Sequence, residues 1–285
     1  MKRSTASSQG QYDIVGFNNS HRPSKRLGQN FLLDQSIASE IVSSIRPSET
    51  DTVLEPGPGH GTLTRLLREK AGRVVAVEKD PFLVRELRQT FKDHPNVIIV
   101  EGDVLKISPL PDFNKIVSTP AYYLSSKLAL FLSKSKFDVA GIVFQKEFGE
   151  RLLAEPGTKE YGRLTVSVRR RLSIEKIRGI PRTSFHPRPK VDSILLRLTL
   201  QEAVRKLNEP LFEEIVRGVF TQRRRVLKGA LLHFLTKKLG RETGRRILSE
   251  ITLPDVRVYQ LSIAQLEDLS IQLDPRMAGR ITSEE

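Results

Sequence analysis

Between residues 35 and 153 the chain alternates two kinds of hydrophobic pattern. Short apolar runs such as Val74-Val75-Ala76-Val77 and Val97-Ile98-Ile99-Val100 read as strands covered on both faces. The stretches between them space apolar residues three or four apart, as an amphipathic helix does. The order is helix 35–45, strand 53–56, helix 62–70, strand 73–77, helix 81–91, strand 97–100, strand 114–118, helix 125–134, strand 139–144 and helix 146–153. Such alternation predicts an α/β, Rossmann-like domain: a doubly wound, mostly parallel sheet with helices on both faces. The pattern breaks into a loop at 155–162. Two strand-like runs follow, near 163–178 and at 193–198, around a proline-rich connector. Beyond residue 210 the spacing is helical, over 211–220, 223–239, 241–248 and 263–273. The expected organisation is a flexible polar arm at 1–22, an α/β domain at 23–200 and a smaller helical domain at 201–285.

The first strand of this series runs into Glu55-Pro56-Gly57-Pro58-Gly59-His60-Gly61 and then into a helix. Glycine serves where the backbone takes positive φ or must approach a ligand with no Cβ in the way. The helix that follows offers unpaired N-terminal N–H groups. The spacing is Gly-x-Gly-x-Gly, not the Gly-x-Gly-x-x-Gly of dinucleotide enzymes. Glu78 stands at the tip of the next strand, where an acid can accept both hydroxyls of a ribose. After the third strand, Asp103 can accept from the exocyclic amine of an adenine. Taken singly these are a tight turn, a solvated strand-end glutamate and a turn aspartate. Three successive strand ends that each deliver a glycine turn or an acid to one edge favour a nucleotide-like cofactor.

Composition narrows the class. At 38% hydrophobic and 28% charged residues the chain of 285 is globular, and it has no apolar run near the ~20 residues of a membrane span. No apolar stretch follows the basic N-terminus, so no secretory signal is read there. Cysteine is absent, which excludes disulfides, thiol catalysis and cysteine-ligated zinc and fits an intracellular, cytoplasmic protein. The five histidines have no metal-ligand spacing, and no metal is expected. The net charge of +14 attracts polyanions, nucleic acid first among them. It is uneven: residues 163–197 hold ten Lys/Arg against two acids, whereas 201–285 hold fifteen against twelve.

The fourth strand ends in Thr119-Pro120-Ala121-Tyr122, followed by Tyr123-Leu124-Ser125-Ser126. An adenine N6 is a poor nucleophile because its lone pair is delocalised into the ring. Acceptors for its protons can draw that lone pair out of conjugation, and an aromatic ring can stack on the base. At this point the chain resembles the ribosomal RNA adenine N6-dimethyltransferases of the KsgA type, with an archaeal-like, uninserted build. The resemblance rests on Gln29-Asn30-Phe31-Leu32, Glu55 to Gly61, Glu78, Gly102-Asp103, Tyr122 with Ser125-Ser126, Pro156-Gly157-Thr158-Lys159, Tyr161 to Leu164, Phe185 to Ser193 and Phe220 to Leu227. These run in family order over roughly 22–270.

The resemblance implies a class I methyltransferase fold, S-adenosylmethionine as cofactor, small-subunit ribosomal RNA as partner and a monomer. It implies cofactor contacts at Asn30, Leu32, Glu55, Gly57, Gly59, Glu78, Asp103 and Thr119. Thr119, Pro120, Tyr122 and Phe185 are implied around the target adenine, with phosphate contacts at Arg188, Lys190, Arg223, Arg224 and Arg225. One motif departs. The family reads Asn-(Leu/Ile)-Pro-(Tyr/Phe), whereas this chain has Thr119, Pro120 and Ala121 before Tyr122. Threonine offers a shorter, branched acceptor than asparagine, and the displaced proline alters the backbone that carries a second acceptor carbonyl. Two readings stay open at this stage: an enzyme with an unusual acceptor pair, or a non-catalytic RNA-binding assembly factor on the same scaffold. A methyltransferase acting on a protein or small molecule is disfavoured by the basic band and the helical C-terminal region.

Overall fold

The computed structural model of the chain describes residues 28–277, so the arm expected at 1–22 lies outside the described residues. Strands β1 (Phe31–Leu32), β2 (Thr52–Pro56), β3 (Arg73–Glu78), β4 (Val97–Glu101), β5 (Lys115–Ser118) and β6 (Val139–Gln145) alternate with helices α1 (Gln35–Ser44), α2 (Thr62–Leu67), α3 (Pro81–Thr90), α4 (Ser125–Lys134) and α5 (Lys146–Leu153). Helix α6 (Arg163–Arg169), strands β7 (Leu172–Ile180), β8 (Phe185–His186) and β9 (Ser193–Leu200), and helices α7 (Glu209–Phe220), α8 (Leu227–Leu239), α9 (Arg241–Ser249) and α10 (Ile263–Met277) follow.

Seven strands form one sheet in the order β4-β3-β2-β5-β6-β9-β7. The first five are parallel, and β9 runs antiparallel to both neighbours, with Val139 opposite Thr199 and Gln145 opposite Ser193. This is the doubly wound, mostly parallel α/β sheet that the alternation predicts. The order reverses between β2 and β5, and the carboxyl ends of strands at such a reversal flank a ligand crevice. The central strands carry apolar residues on both faces because helices cover both: Val53, Leu54, Val74, Val75 and Ile116 are fully buried. Side chains set the helix starts. Asp34 accepts from the Ser36 and Ile37 amides to open α1, and Asp80 caps α3 in front of Pro81.

Two departures from the sequence pattern stand out. The stretch expected as strand over 163–178 is split, with residues 163–169 helical and only 172 onward extended. In α6 Thr165, Val166, Ser167 and Val168 are all buried, so a helix packed on several sides has overridden the strand preference of its β-branched residues. Residues 223–225, expected to open a helix, instead lie in a turn, and α8 begins at Leu227.

The C-terminal helices hold a core of their own around Phe212, Val216, Leu231, Leu235, Leu266 and Leu273, which Tyr161 and Val166 enter from outside. A buried arginine joins the two parts. Arg170 donates from Nε to Glu267 at 3.0 Å, from Nη1 to Glu209 at 2.6 Å and from Nη2 to the Arg205 carbonyl at 2.9 Å. Its guanidinium also lies over the Phe212 ring.

Candidate active site

The carboxyl ends of β2, β3, β4 and β5 surround one cavity, which segment 28–32 closes from the side. That segment is held at four points. β1 pairs antiparallel with β8, Phe31 opposite His186 and Leu32 opposite Phe185. The Leu33 amide donates to the Ser184 carbonyl, Gln29 Nε2 donates to Asp80 and the Thr62 hydroxyl donates to the Leu32 carbonyl. A short strand with few backbone bonds of its own therefore becomes a strap across the sheet edge.

Gly57, Gly59 and Gly61 all have positive φ, at 68°, 59° and 78°. At Gly59 a Cβ would stand 2.9 Å from the Phe31 ring, so the turn and the strap fit together only around glycine. Above Gly57 the space is open, and a Cβ there would meet nothing within 4 Å. A ligand can approach this backbone closely.

Glu78 lines the cavity at 7% exposure. Its Oε2 accepts from the Gly59 amide at 3.2 Å, and its Oε1 accepts from the amides of Lys79 and Asp80 at 2.8 and 2.9 Å. Burial raises its pKa above the ordinary carboxylate range, although these three N–H bonds work the other way. Asp103 is held by the Leu105 amide and by the Lys79 ammonium at 3.2 Å. Partial burial acts to raise its pKa, but those two partners, with the charge of Lys106, outweigh it and keep it below the ordinary value.

Of the residues singled out in the sequence, Asn30, Leu32, Gly57, Gly59, Glu78, Asp103, Thr119 and Pro120 meet on the cavity wall. Three others do not. Glu55 is fully buried below the turn, where it accepts from the Thr64 hydroxyl at 2.7 Å. Burial pushes its pKa up to about 8; the Thr64 bond lowers it and the nearby Glu78 charge raises it further. Phe185 is 4% exposed and packs in the core with Leu32 and Leu195, because its pairing with Leu32 fixes the ring beneath the strap. Tyr122 is half-buried, its hydroxyl 2.7 Å from Ser193 Oγ on β9.

The residue that reaches the wall is the neighbour, Tyr123. Residues Tyr122–Leu124 form a single 3-10 turn, in which successive side chains point about 120° apart. One tyrosine thus faces β9 and the other the cavity, a distinction that the tandem pair in the sequence could not make. Sequence reasoning also missed His60, which lies on the wall against Phe31 and bonds Glu86 at 2.8 Å.

The basic residues divide as well. Arg169, Arg170, Arg171 and Arg178 pair with Glu155, with Glu209 and Glu267, with Glu209 and with Glu40. Arg223, expected on phosphate, is turned inward: its Nη2 donates to the carbonyls of Thr158, Lys159 and Tyr161. Three carbonyls converge on Nη2 and tie the guanidinium to the loop after α5, while its buried Nε has no hydrogen-bond partner among the described residues. Arg188, Lys190, Arg224 and Arg225 are exposed.

The geometry agrees with the comparisons. A family model described as ribosomal RNA adenine dimethylase matches residues 20–273. A probable ribosomal RNA small subunit methyltransferase A of Thermococcus kodakarensis is 40% identical over 256 residues, 88% of this chain and 90% of that protein. Its counterpart in Clostridium perfringens is 38% identical over 270 residues, 90% of this chain and 92% of that one. Among solved structures, a dimethyladenosine transferase from Plasmodium falciparum superposes with a TM-score of 0.77 at 25% identity, over 86% of this chain and 98% of that one. The 23S rRNA methyltransferase ErmE gives 0.64 at 28% identity, over 86% and 99%. With the carboxylates of Glu78 and Asp103 at successive strand ends of one cavity, an open glycine turn beside them and a family match along nearly its whole length, the chain belongs to the ribosomal RNA adenine dimethylases, methyltransferases that depend on S-adenosylmethionine.

Proposed function

We propose that this protein methylates the N6 amine of adenines in small-subunit ribosomal RNA. The observation that carries the reading is the meeting, in one cavity, of Glu78 and Asp103 with the Thr119-Pro120-Ala121 loop. The first two suit the ribose hydroxyls and adenine amine of S-adenosylmethionine, and the third suits a second amine brought in from the RNA. The cofactor supplies a methyl group on a sulfonium centre. The protein does the rest. Glu78 accepts from the ribose, Asp103 accepts from the cofactor's adenine, and the strap over Gly59 excludes water.

At the acceptor loop, the Thr119 hydroxyl or carbonyl and the Pro120 carbonyl accept hydrogen bonds from the target N6 amine, and the proton released after methyl transfer passes to solvent. The acceptors aim the lone pair out of the ring plane. Loss of one such positioned polar group costs on the order of 10²–10³ in rate. Apart from the departure at Thr119-Pro120-Ala121, no observation favours the non-catalytic reading. RNA docks through the exposed Arg188, Lys190, Arg224 and Arg225, and the protein works as a cytoplasmic monomer.

The decisive assay is transfer of labelled methyl from S-adenosylmethionine to undermethylated small subunits, with mono- and dimethyladenosine separated by mass spectrometry. Transfer to adenine N6 is expected. The triple variant Thr119→Asn, Pro120→Leu, Ala121→Pro should raise the rate and the dimethyl fraction. A wild-type protein that methylates no adenine, beside a triple variant that does, would overturn the enzymatic reading.

A further inference from the structure

Tyr123 is assigned neither to the cofactor nor to the target amine, yet it lies on the wall of the reaction cavity. At 54% exposure it is also the most exposed of the large hydrophobic side chains among the described residues. Its neighbours in kind are tucked away: Tyr161 is buried and Tyr122 is tied to Ser193.

The ring is held, not trailing. Its turn is closed by the Leu124 amide, which donates to the Ala121 carbonyl at 2.9 Å, and α4 starts at the next residue. From the strap, Gly28 backs the ring: a Cβ there would stand 3.2 Å from Tyr123 Cδ1. Gly28 also has φ of +57°, a conformation that side chains disfavour. Strap and turn are thus shaped around an aromatic face that opens to solvent at the cavity mouth. The face belongs to the segment with the acceptor loop, Thr119 to Ala121, and not to the strand ends with Glu78 and Asp103. Open to solvent at the mouth, it is placed to meet an incoming RNA strand.

We propose that Tyr123 is a stacking platform for a base of the RNA strand at the cavity mouth and so helps to determine which substrate is accepted. The proposal rests on the RNA-methylating function given above. A ring with few rotatable bonds loses little freedom on stacking, and every base offers a π-face.

The test compares wild type with Tyr123→Ala, Tyr123→Phe and Gly28→Ala. Two readouts are used: steady-state methyl transfer to undermethylated small subunits, and fluorescence quenching of a small-subunit rRNA stem-loop that carries 2-aminopurine in its loop. Tyr123→Ala should raise KM for the subunits roughly tenfold, the size of one lost stack, with a smaller change in kcat. It should also abolish most of the quenching. Tyr123→Phe should keep both within about twofold, since stacking uses the ring and not the hydroxyl, and Gly28→Ala should fall between.

Calorimetry with S-adenosylhomocysteine reports separately that the cofactor site of each variant is intact. Unchanged KM and quenching in Tyr123→Ala, or equal damage from Tyr123→Phe, overturn the platform. Quenching by a wild type that transfers no methyl would sink the enzymatic reading and leave the platform standing. Transfer that ignores Tyr123 does the reverse, and a wild type that neither quenches nor transfers removes both.

Discussion

Glu55 and Glu78 stand on adjacent strands, and burial raises the pKa of both, but their surroundings give them different work. Glu78 faces the cavity and gathers three backbone N–H groups, so it shapes the glycine turn and can receive a ribose. Glu78→Ala should lower the affinity for S-adenosylhomocysteine by about 1–3 kcal/mol, as ligand donors lose their acceptor. An unchanged calorimetric affinity would show that the ribose lies elsewhere. Glu55 is enclosed, with a pKa raised from 4.5 to about 8 chiefly by burial. The folded protein then holds this proton more tightly than the unfolded chain, so stability contributed by the neutral acid is lost as pH rises from about 4.5 to about 8. Glu55→Gln cannot ionise, and its melting temperature should fall less across roughly pH 5–8.5 than that of wild type. Parallel curves would show that Glu55 ionises freely. The motif displayed Glu55 in the sequence, but whether its carboxylate looks into the cavity or beneath it depends on Thr64 in the following helix.

At the scale of elements, the strands from β2 to β6 were legible because each is an apolar run bounded by turn residues, and the helices between them carry a clear stripe. Helix α6 was not legible. Leu164, Val166 and Val168 alternate as in a strand, and only the helices packed around them decide otherwise. The short β1 and β8 were beyond reach as well: two residues give no period, and their pairing joins segments some 150 positions apart. For the site the same division holds. Glu78, Asp103, Thr119 and Pro120, at or just past strand ends, line the cavity, whereas Glu55 does not and Tyr122 and Tyr123 are separated only by a 3-10 turn. Just after α6, Arg170 joins that helix to the C-terminal helices through two carboxylates, with Glu267 9% exposed at its side chain. Arg170→Met should destabilise the protein by about 3–5 kcal/mol, because it strands a buried charge. Adding Glu267→Gln should recover part of that loss, and denaturant melts of the two single variants and the double variant measure it. Strict additivity would mean that the two side chains are not coupled.

The whole molecule carries +14, but carboxylates answer much of the band at 163–197, and the surface left for RNA is narrower than the charge count suggests. Charge reversal at Arg188, Lys190 and Arg224 should make the salt dependence of rRNA binding shallower by roughly 0.7–0.9 in logarithmic slope for each phosphate left without its cation. Cofactor affinity should stay unchanged. The corresponding reversal of Arg223 should instead loosen the loop over 158–161, which proteolysis would detect. A slope insensitive to the first set of substitutions places the footprint elsewhere. The position of β9 between β6 and β7 has one more effect, on how the chain is made. Synthesis delivers β6 first, with nearly every residue apolar, and then β7, which has no partner in the sheet except β9. Until Ser193 to Leu200 leave the ribosome, one edge of β6 stands unpaired and β7 cannot dock. The nascent protein therefore passes through a stage with an open, sticky sheet edge, and the strap, waiting for Phe185 and His186, is fastened only shortly before that edge is closed.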